Sequence, residues 1–551
     1  MKFKLIYFAI ALIINQTSIA QKMEPAIDSF YNVGKGEPGF SIAVFKGEKI
    51  IFEKQYGVAN LDYNIPITNK TVFDIASISK QFTAAAILLL EQQSKLNIKD
   101  PVSKYLPKIP NYVKGIPTVE HLLNHTSGIK EVDPYWGILD LQTFDYMSES
   151  QMVNIILKVK ELQFQPGEYF HYSNANYILL AAIVRQVSGQ SLADFSEQHI
   201  FAPLEMYQTF IKDDIYRIVD NRAIGYQESE GEWYKTHTSS FVLSGDGQVI
   251  TTPRDIFKWH QNLKQNTIGT PEIWKKMHTK ARLNNGTEIN YGLGVEFEMH
   301  NGHSAYGHDG MWLGGFVSKY LYFPDQDIAF FTTQNKFEWD FRDRFFQFVD
   351  LFLKQNETPI KKEKNNLIKG VDLSKIELRQ YEGKYLFFNN ENHQQREIKL
   401  LKRNLVYQTL DNEVIGELIP IGNHEFAYVE DGDNQSRIKF IFSQKVKQFI
   451  FDNQDGEMPK LFQEFVPYEH SKTELAEYVG TFYNKDFQIG KEIKLEERNL
   501  IYYYRNGAWK DQVTSISKDL FNTPPSEIRF ERNENGEIIG FIMMGLEFEK
   551  L

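Results

Sequence analysis

Apolar and polar positions alternate with a period of two near both ends of the N-terminal region, and apolar positions between them follow a helical spacing. Two alternating runs over residues 40–56 flank a polar turn and predict a β-hairpin. Residues 317–323 and 328–333 have the same pattern and predict two late strands. Apolar residues on nearly all sides predict a buried helix over residues 80–90. Further helices are predicted over residues 152–159, 177–187 and 341–352. We therefore expect a sheet in which both ends of this region meet, with helices on its faces.

The C-terminal part of the chain repeats itself. Glu397–Leu400 and Arg403–Leu405 recur as Glu492–Leu495 and Arg498–Leu500 at an offset of 95 residues, and Tyr381 recurs as Tyr478 at an offset of 97. Each copy consists of short alternating strands separated by turns, which is typical of a small antiparallel barrel or sandwich. A polar segment without periodicity, residues 354–366, precedes the repeat and predicts a linker.

Composition narrows the possible functions. The 551 residues exceed the size of a single small domain, and 42% hydrophobic with 24% charged residues is an ordinary globular composition. The net charge of −11 leaves no basic excess for a nucleic acid backbone, so nucleic acid is not expected as a partner. The absence of Cys excludes disulfides, thiolate metal sites and a cysteine nucleophile.

The first twenty residues have the pattern of an export signal. Lys2 and Lys4 precede an apolar run, Leu5–Ile14, and the small residues Ser18 and Ala20 stand where a signal peptidase cleaves. The run is about half of the ~20 residues that a membrane-spanning helix needs. We therefore expect cleavage after Ala20, no membrane span in the mature protein, and a periplasmic or secreted bacterial location.

The first chemical motif is Ser77-Ile78-Ser79-Lys80, at the start of the predicted buried helix. Residues three apart on a helix are neighbours, so Lys80 can place its amine beside the Ser77 hydroxyl. The helix N-terminus favours negative charge that develops there. The same four residue types recur at Ser515–Lys518, but no apolar helix follows them. We interpret that copy as a surface segment without a catalytic role. By itself, Ser77 is better explained as a helix cap than as a nucleophile.

Further motifs follow in a fixed order. Tyr172-Ser173-Asn174 comes after Pro166-Gly167-Glu168, and His308-Asp309-Gly310 comes later; between and around them lie Leu122–Gly128, Gly245–Gly247 and Tyr291–Gly294. With this set the chain resembles, over roughly residues 30–350, the serine β-lactamase and penicillin-binding protein superfamily. It is most similar to the class C-like branch, which holds class C β-lactamases, D-alanyl-D-alanine carboxypeptidases, D-aminopeptidases and esterases.

The resemblance implies roles for the residues of the first two motifs. Ser77 would attack a carbonyl carbon and form an acyl-enzyme. Lys80 would stay cationic or share a proton network, and its charge would lower the pKa of Tyr172, which would serve as base and then as acid. Which of Lys80 and Tyr172 takes the first proton stays open. Asn174 would hydrogen-bond both the substrate and Lys80.

The third motif would lie on an edge strand facing the nucleophile. The resemblance implies that the backbone N–H of Met311 and that of Ser77 form an oxyanion hole, while Gly310 lets the substrate approach. His308 would bind substrate, yet true β-lactamases generally have Lys at its position. A neutral imidazole holds a substrate carboxylate less well than an ammonium, which favours peptides, amides or esters over β-lactams. His300-Asn301-Gly302 fits the same pattern but is typical of a hairpin turn.

The predicted fold class is α+β, a β-lactamase-like domain of antiparallel sheet, flanking helices and a helical subdomain, followed by two antiparallel β-barrels. The predicted segments are a signal peptide 1–20, a catalytic domain 21–354, a linker 355–372 and barrels 373–468 and 469–551. The predicted function is serine hydrolysis of a small peptide, amide or ester, with a D-amino acid or cell-wall-derived substrate favoured. The alternatives are a catalytically silent protein that binds or senses cell wall or peptide and, within the enzyme class, a class C-like β-lactamase. No cofactor or metal is implied, and the oligomeric state is left open.

Overall fold

The computed structural model of the chain describes residues 23–132, 135, 139, 146–236, 241–312, 314–353, 370–388, 393–430, 436–442, 447–453, 458–504, 509–523, 526–543 and 545–551. The predicted signal peptide and residues 355–369 of the predicted linker lie outside these ranges. Within them, no helix combines the length and apolar character that a membrane crossing requires.

The N-terminal domain is built on a six-stranded sheet. Its strands, and the shorter ones around it, are β1 Phe40–Lys46, β2 Lys49–Tyr56, β3 Val58–Asn60, β4 Ile65–Pro66, β5 Phe73–Asp74, β6 Met147–Ser148, β7 Phe210–Ile211, β8 Tyr226–Ser229, β9 Glu232–Lys235, β10 Phe241–Val242, β11 Val249–Thr251, β12 Glu296–His300, β13 His303–Trp312, β14 Phe316–Phe323 and β15 Ile328–Gln334. The sheet order is β12-β13-β14-β15-β1-β2. Early and late strands pair in antiparallel register from Phe40 and Gln334 to Lys46 and Ile328, which confirms that the two ends of the region meet.

Helices cover both faces of the sheet. They are α1 Lys80–Gln92, α2 Val119–Leu123, α3 Glu149–Ile156, α4 Asn174–Ser188, α5 Leu192–Ser196, α6 Pro253–Gln265, α7 Pro271–Met277 and α8 Phe341–Asp350. Side chains of β1 alternate between two cores, as the period of two requires. Ala43 and Phe45 pack with α1 and α4, whereas Ile42 and Val44 pack with α8. The helical patterns of the sequence are thereby confirmed within a few residues at each end.

Two closed antiparallel barrels follow, as the repeat predicted. The first contains β16 Gly383–Phe388, β17 His393–Leu401, β18 Asn404–Gln408, β19 Val414–Gly422, β20 Glu425–Val429, β21 Arg437–Phe442, β22 Lys447–Asp452 and β23 Lys460–Glu464. The second contains β24 Gly480–Asn484, β25 Ile489–Glu496, β26 Asn499–Tyr504, β27 Trp509–Ser517, β28 Leu520–Thr523, β29 Ser526–Arg532, β30 Ile538–Met543 and β31 Leu546–Lys550. A short helix precedes each barrel, α9 Lys375–Arg379 and α10 Lys472–Glu477. The repeats share a register, because Gly383 faces Ile398 and Gly480 faces Ile493.

Both barrels contact the N-terminal domain. Tyr135, 2% exposed, belongs to the apolar core of the second barrel, and Val159 packs against it. The Lys158 ammonium also lies 4.7 Å from the ring centroid of Phe487. At the first barrel, the backbone N–H of Met458 donates to the Phe170 carbonyl at 3.1 Å. The first barrel therefore contacts the chain two residues before Tyr172.

Candidate active site

Ser77 lies on a strained turn between a strand and the buried helix. A 3-10 turn over Ala76–Ser79 connects β5 to α1, and Ala76 has a φ of +47°, which is unusual for a residue with a Cβ. The Asp74 carboxylate accepts the Ala76 backbone N–H at 2.9 Å and holds this conformation. Within residues 71–90, all of them described, Ser77 alone is not buried. The turn thus presents its hydroxyl at the N-terminal end of α1.

Lys80 is completely buried and hydrogen-bonded as an ammonium. Its Nζ donates to Ser77 Oγ at 3.0 Å, to Asn174 Oδ1 at 2.8 Å and to the Asp246 backbone carbonyl at 2.8 Å. Three acceptors match the three protons of the amine, and they compensate for the removal of the charge from water. The predicted contacts of Lys80 with Ser77 and Asn174 are confirmed.

Tyr172 is held as a neutral phenol. Burial raises its pKa well above the ordinary value, and a hydrogen bond with the Ser77 hydroxyl lowers it again in part. The Lys80 Nζ lies 5.0 Å from the phenol ring centroid. The Lys80 charge was expected to lower this pKa, but the net pKa is raised, because the desolvation of the phenolate is the largest contribution. A protonated Tyr172 can donate to a leaving group but is not a resting-state base.

Asn174 is the first residue of α4, so its backbone N–H has no partner within the helix. This N–H donates to Glu131 Oε2 at 2.6 Å. The contact fixes the helix start while the Asn174 side chain accepts from Lys80. Nothing in the sequence pattern singled out Glu131.

His308 is 2% exposed and has protein partners at both ring nitrogens. Nδ1 donates to the Asp309 carbonyl at 2.5 Å, and Nε2 accepts from the Tyr291 hydroxyl at 3.0 Å, a tautomer inferred from these contacts. Burial lowers the His308 pKa below the ordinary value, although the nearby Glu296 charge acts in the opposite direction. His308 is therefore neutral at pH 7, and direct binding of substrate would require it to exchange one of these bonds.

Gly310 allows β13 to pack against the nucleophile turn. A Cβ at this position would lie 2.1 Å from the Ile75 carbonyl oxygen, which also accepts the Ser318 hydroxyl at 2.8 Å. Gly310 therefore has a packing role between two protein backbones, and its role in letting the substrate approach stays a prediction. The packing brings the next residue, Met311, to the turn that bears Ser77.

The backbone N–H of Met311 points to the open edge of the sheet. In β12, the Phe297 N–H donates to the Asn290 carbonyl, so Phe297 forms no hydrogen bond to its neighbour across the ladder, Tyr306. Hydrogen-bonded and non-hydrogen-bonded positions alternate along an antiparallel strand, so Met311, five residues after Tyr306, faces the β12 side. β12 does not extend that far, because its pairing ends at Gly307. This orientation suits an oxyanion donor.

The Leu122–Gly128 motif builds a supporting loop beside the site. His125 has a φ of +57°, and its ring lies 4.3 Å from that of Tyr172, centroid to centroid. Its Nδ1 accepts the Ser173 backbone N–H at 3.2 Å, and burial lowers its pKa well below the ordinary value. Ser127 donates to Asn176 at 2.6 Å. A neutral His125 thus positions the Tyr172 segment.

The rejected motifs have structural roles. His300 pairs with His303 across a hairpin turn in which Asn301 and Gly302 have positive φ. Ser515 lies on β27, and its hydroxyl donates to the Tyr468 carbonyl at 2.6 Å. Two residues around the site, Tyr291 and Glu296, were given no role from the sequence. The Tyr291–Gly294 motif was the only signal that pointed to Tyr291.

The comparison with known families decides what this constellation belongs to. The Beta-lactamase family matches residues 17–349, which contain Ser77, Lys80, Tyr172 and His308. The chain belongs to the Beta-lactamase family. The match ends before the two barrels. The resemblance drawn from the motifs is thereby confirmed.

Individual relatives cover the same region. Penicillin-binding protein 4* of Bacillus subtilis is 30% identical over 273 residues, which are 46% of this chain and 58% of the relative. A D-aminopeptidase of Brucella anthropi is 26% identical over 281 residues, 50% of this chain and 52% of the relative. The matches therefore span little more than half the length of these curated relatives.

Solved structures share the fold. A penicillin-binding protein from Bacillus halodurans is 27% identical with a TM-score of 0.51, covering 57% of this chain and 95% of that one. The D-amino acid amidase from Ochrobactrum anthropi SV3, with L-phenylalanine amide, is 24% identical with a TM-score of 0.51. That alignment covers 60% of this chain and 98% of the amidase. The predicted β-lactamase-like fold is confirmed.

Proposed function

We propose that the chain is an exported serine hydrolase that cleaves a peptide, amide or ester bond through an acyl-enzyme on Ser77. One observation carries the proposal: the Ser77 hydroxyl lies 3.0 Å from the Lys80 ammonium and hydrogen-bonds the Tyr172 phenol. The hydroxyl is also at a helix N-terminus, beside the strand that bears Met311. Nucleophile, proton network and oxyanion donors thus meet at one point.

The reaction follows from these groups. Ser77 Oγ bonds to the substrate carbonyl carbon while its proton passes to the Tyr172 oxygen, and Tyr172 gives its own proton to the leaving amine or alcohol in the same relay, because Lys80 and Tyr172 are both already protonated. The oxyanion is held by the N–H groups of Ser77 and Met311. When the bond to the leaving amine or alcohol breaks, Tyr172 protonates that group, and the proton lost by Ser77 restores the phenol. Water then attacks the ester, giving the acid and free Ser77.

We propose D-amino acid amides and peptides as the substrate class. The relative from Brucella anthropi is named a D-aminopeptidase, and it matches the domain that holds the site. In this chain, a neutral His308 occupies the position where β-lactamases generally have a lysine. That position therefore has no cation that could pair with the carboxylate of a β-lactam. Export to the periplasm rests on the pattern of residues 1–20.

The test is labelling and turnover. A fluorophosphonate should add mass to the peptide that contains Ser77, and Ser77→Ala should lose both the label and hydrolysis of D-alanine p-nitroanilide by at least about 1000-fold. Ser515→Ala is the matched control, because it alters the same four-residue pattern on a barrel strand, and it should keep both. Labelling that persists in Ser77→Ala would contradict the assignment. A wild type without label or turnover would support a binding protein instead.

A further inference from the structure

One edge of β13 is only half covered. β12 pairs with it from His303 to Gly307, and along the same edge residues 308–312 have no strand partner in the described chain. Glu296 is the first residue of β12, so it lies where the covered half meets the open half. An extended substrate that adds to the open edge would run in line with β12. The end of the substrate nearest to β12 would lie beside Glu296.

Glu296 is a charged and accessible neighbour of the site. Its Oε1 lies 3.8 Å from His308 Nε2, and its side chain is 35% exposed, whereas that of His308 is 2% exposed. Among the described residues, no Lys or Arg nitrogen lies within 4.0 Å of its carboxylate. Arg342 pairs with Glu298 and Asp309 instead. With His308 neutral, Glu296 has no direct ion-pair partner among the described cations, and Arg342 acts on it only from beyond 4.0 Å.

The position of Tyr172 tells which part of the substrate reaches Glu296. Tyr172 is the group that protonates the leaving amine, and its ring centroid lies 6.0 Å from that of His308. After burial and the Ser77 hydrogen bond, the Glu296 charge is the next influence on the Tyr172 pKa, which it raises. The carbonyl oxygen is held at Met311, three residues further along β13. The part of the cleft nearest to β12 therefore holds the leaving group, and the part beside Met311 holds the carbonyl group.

We propose that Glu296 is a specificity-determining residue that makes the leaving-group subsite prefer cationic over carboxylate-bearing leaving groups. The proposal rests on the proposed function, whose substrate class it refines. An ammonium on the leaving group would pair with the Glu296 carboxylate, whereas a free C-terminal carboxylate would be repelled by it. The enzyme would then release amines and amides rather than free D-amino acids from peptide C-termini.

Two substrate pairs test this in the full chain. D-alanyl-D-alanine and its amide differ by one negative charge, and the amides of D-alanyl-D-lysine and D-alanyl-D-norleucine differ by one positive charge. We expect wild type to favour the amide and the lysine peptide in kcat/KM. In Glu296→Gln both preferences should shrink by about fivefold or more, and Glu296→Lys should reverse the first.

Two controls separate the explanations. Glu492→Gln removes the same charge from the second barrel and should leave both ratios unchanged. Fluorophosphonate labelling of Ser77 at the wild-type rate shows that each variant is folded. Unchanged ratios in Glu296→Gln would overturn the role of Glu296 alone. A labelled wild type that cleaves none of the four peptides would overturn the proposed substrate class, and this proposal with it.

Discussion

At the scale of single residues, desolvation sets the protonation states around Ser77. Burial raises the pKa of Tyr172 and lowers the pKa of His125 and of His308, so all three are neutral at pH 7. Lys80 is also buried, but three acceptors hold its charge. The site therefore contains the Lys80 cation with three neutral rings around it, the carboxylate of Glu131 at the start of α4 and the carboxylate of Glu296 at the rim. This distribution suits a substrate without a carboxylate beside the scissile bond.

Other buried histidines make stability depend on pH. Burial lowers the His278 pKa to about 4, and the ring lies 4.3 Å from that of Tyr306. Below the unfolded pKa of ~6.5 the unfolded chain binds this proton and the folded chain does not, so stability falls as the pH falls. His278→Phe should reduce the slope of the unfolding free energy by up to about 1.4 kcal/mol per pH unit between ~6.5 and ~4.

Urea denaturation at several pH values between about 7.5 and 5 measures this slope. His260→Phe is the companion variant, because burial lowers the His260 pKa to about 4 as well. The two variants should reduce the slope separately and additively. Plots of unfolding free energy against pH that run parallel for wild type and His278→Phe would contradict the prediction.

At the scale of elements, the nucleophile turn and β13 act as one unit. The turn is strained at Ala76 and braced by Asp74 on one side. On the other side β13 approaches so closely that Gly310 has no room for a Cβ. The alignment of the Ser77 and Met311 N–H groups depends on this contact. A small outward shift of β13 would open the oxyanion hole.

Gly310→Ala tests this unit. The new Cβ would lie 2.1 Å from the Ile75 carbonyl oxygen, so β13 or the turn must move. We expect a fall in kcat of about 100-fold or more, the usual loss when one oxyanion donor is removed, with a smaller change in KM.

Gly490→Ala is the matched control on a barrel strand, because the nearest atom to its Cβ would be at 3.9 Å. It should retain wild-type activity. If Gly310→Ala folds with wild-type kcat, the contact between β13 and the turn does not align the site.

At the scale of the whole molecule, the barrels brace the catalytic domain. The second barrel shares its apolar core with Tyr135 of the helical region. In the first barrel, the Met458 N–H donates a hydrogen bond to the Phe170 carbonyl, next to the segment that carries Tyr172. The linker and the repeat in the sequence gave no sign of these contacts. Removal of the second barrel would expose buried apolar surface around Tyr135.

Met458→Pro isolates the contact of the first barrel. Proline has no N–H, so the bond to Phe170 is lost, whereas Met458→Ala keeps it. We expect Met458→Pro to lower kcat/KM by about 2- to 10-fold, which corresponds to one hydrogen bond, and Met458→Ala to stay near wild type. Steady-state kinetics on D-alanine p-nitroanilide give the comparison. Equal losses in both variants would assign the effect to the side chain.

Much of this protein follows from local patterns. The period of two set the strands, the i to i+3 spacing placed Lys80 beside Ser77, and Asn301-Gly302 predicted its hairpin, because each depends on backbone geometry within a few residues. The 95-residue repeat predicted two similar β units, because two similar sequences form similar strands. None of these predictions requires knowledge of how distant segments pack.

The tertiary structure alone decided the contacts and charges that depend on distant segments. The pKa of Tyr172 rises because the folded core removes water from it, and Gly310 meets Ile75 only when two remote segments pack. Glu296 reaches His308 because β12 begins at Glu296, and no spacing in the sequence encodes that start. Desolvation and packing arise from the whole fold, so a linear pattern names the reactive residues but not the environment that sets their chemistry.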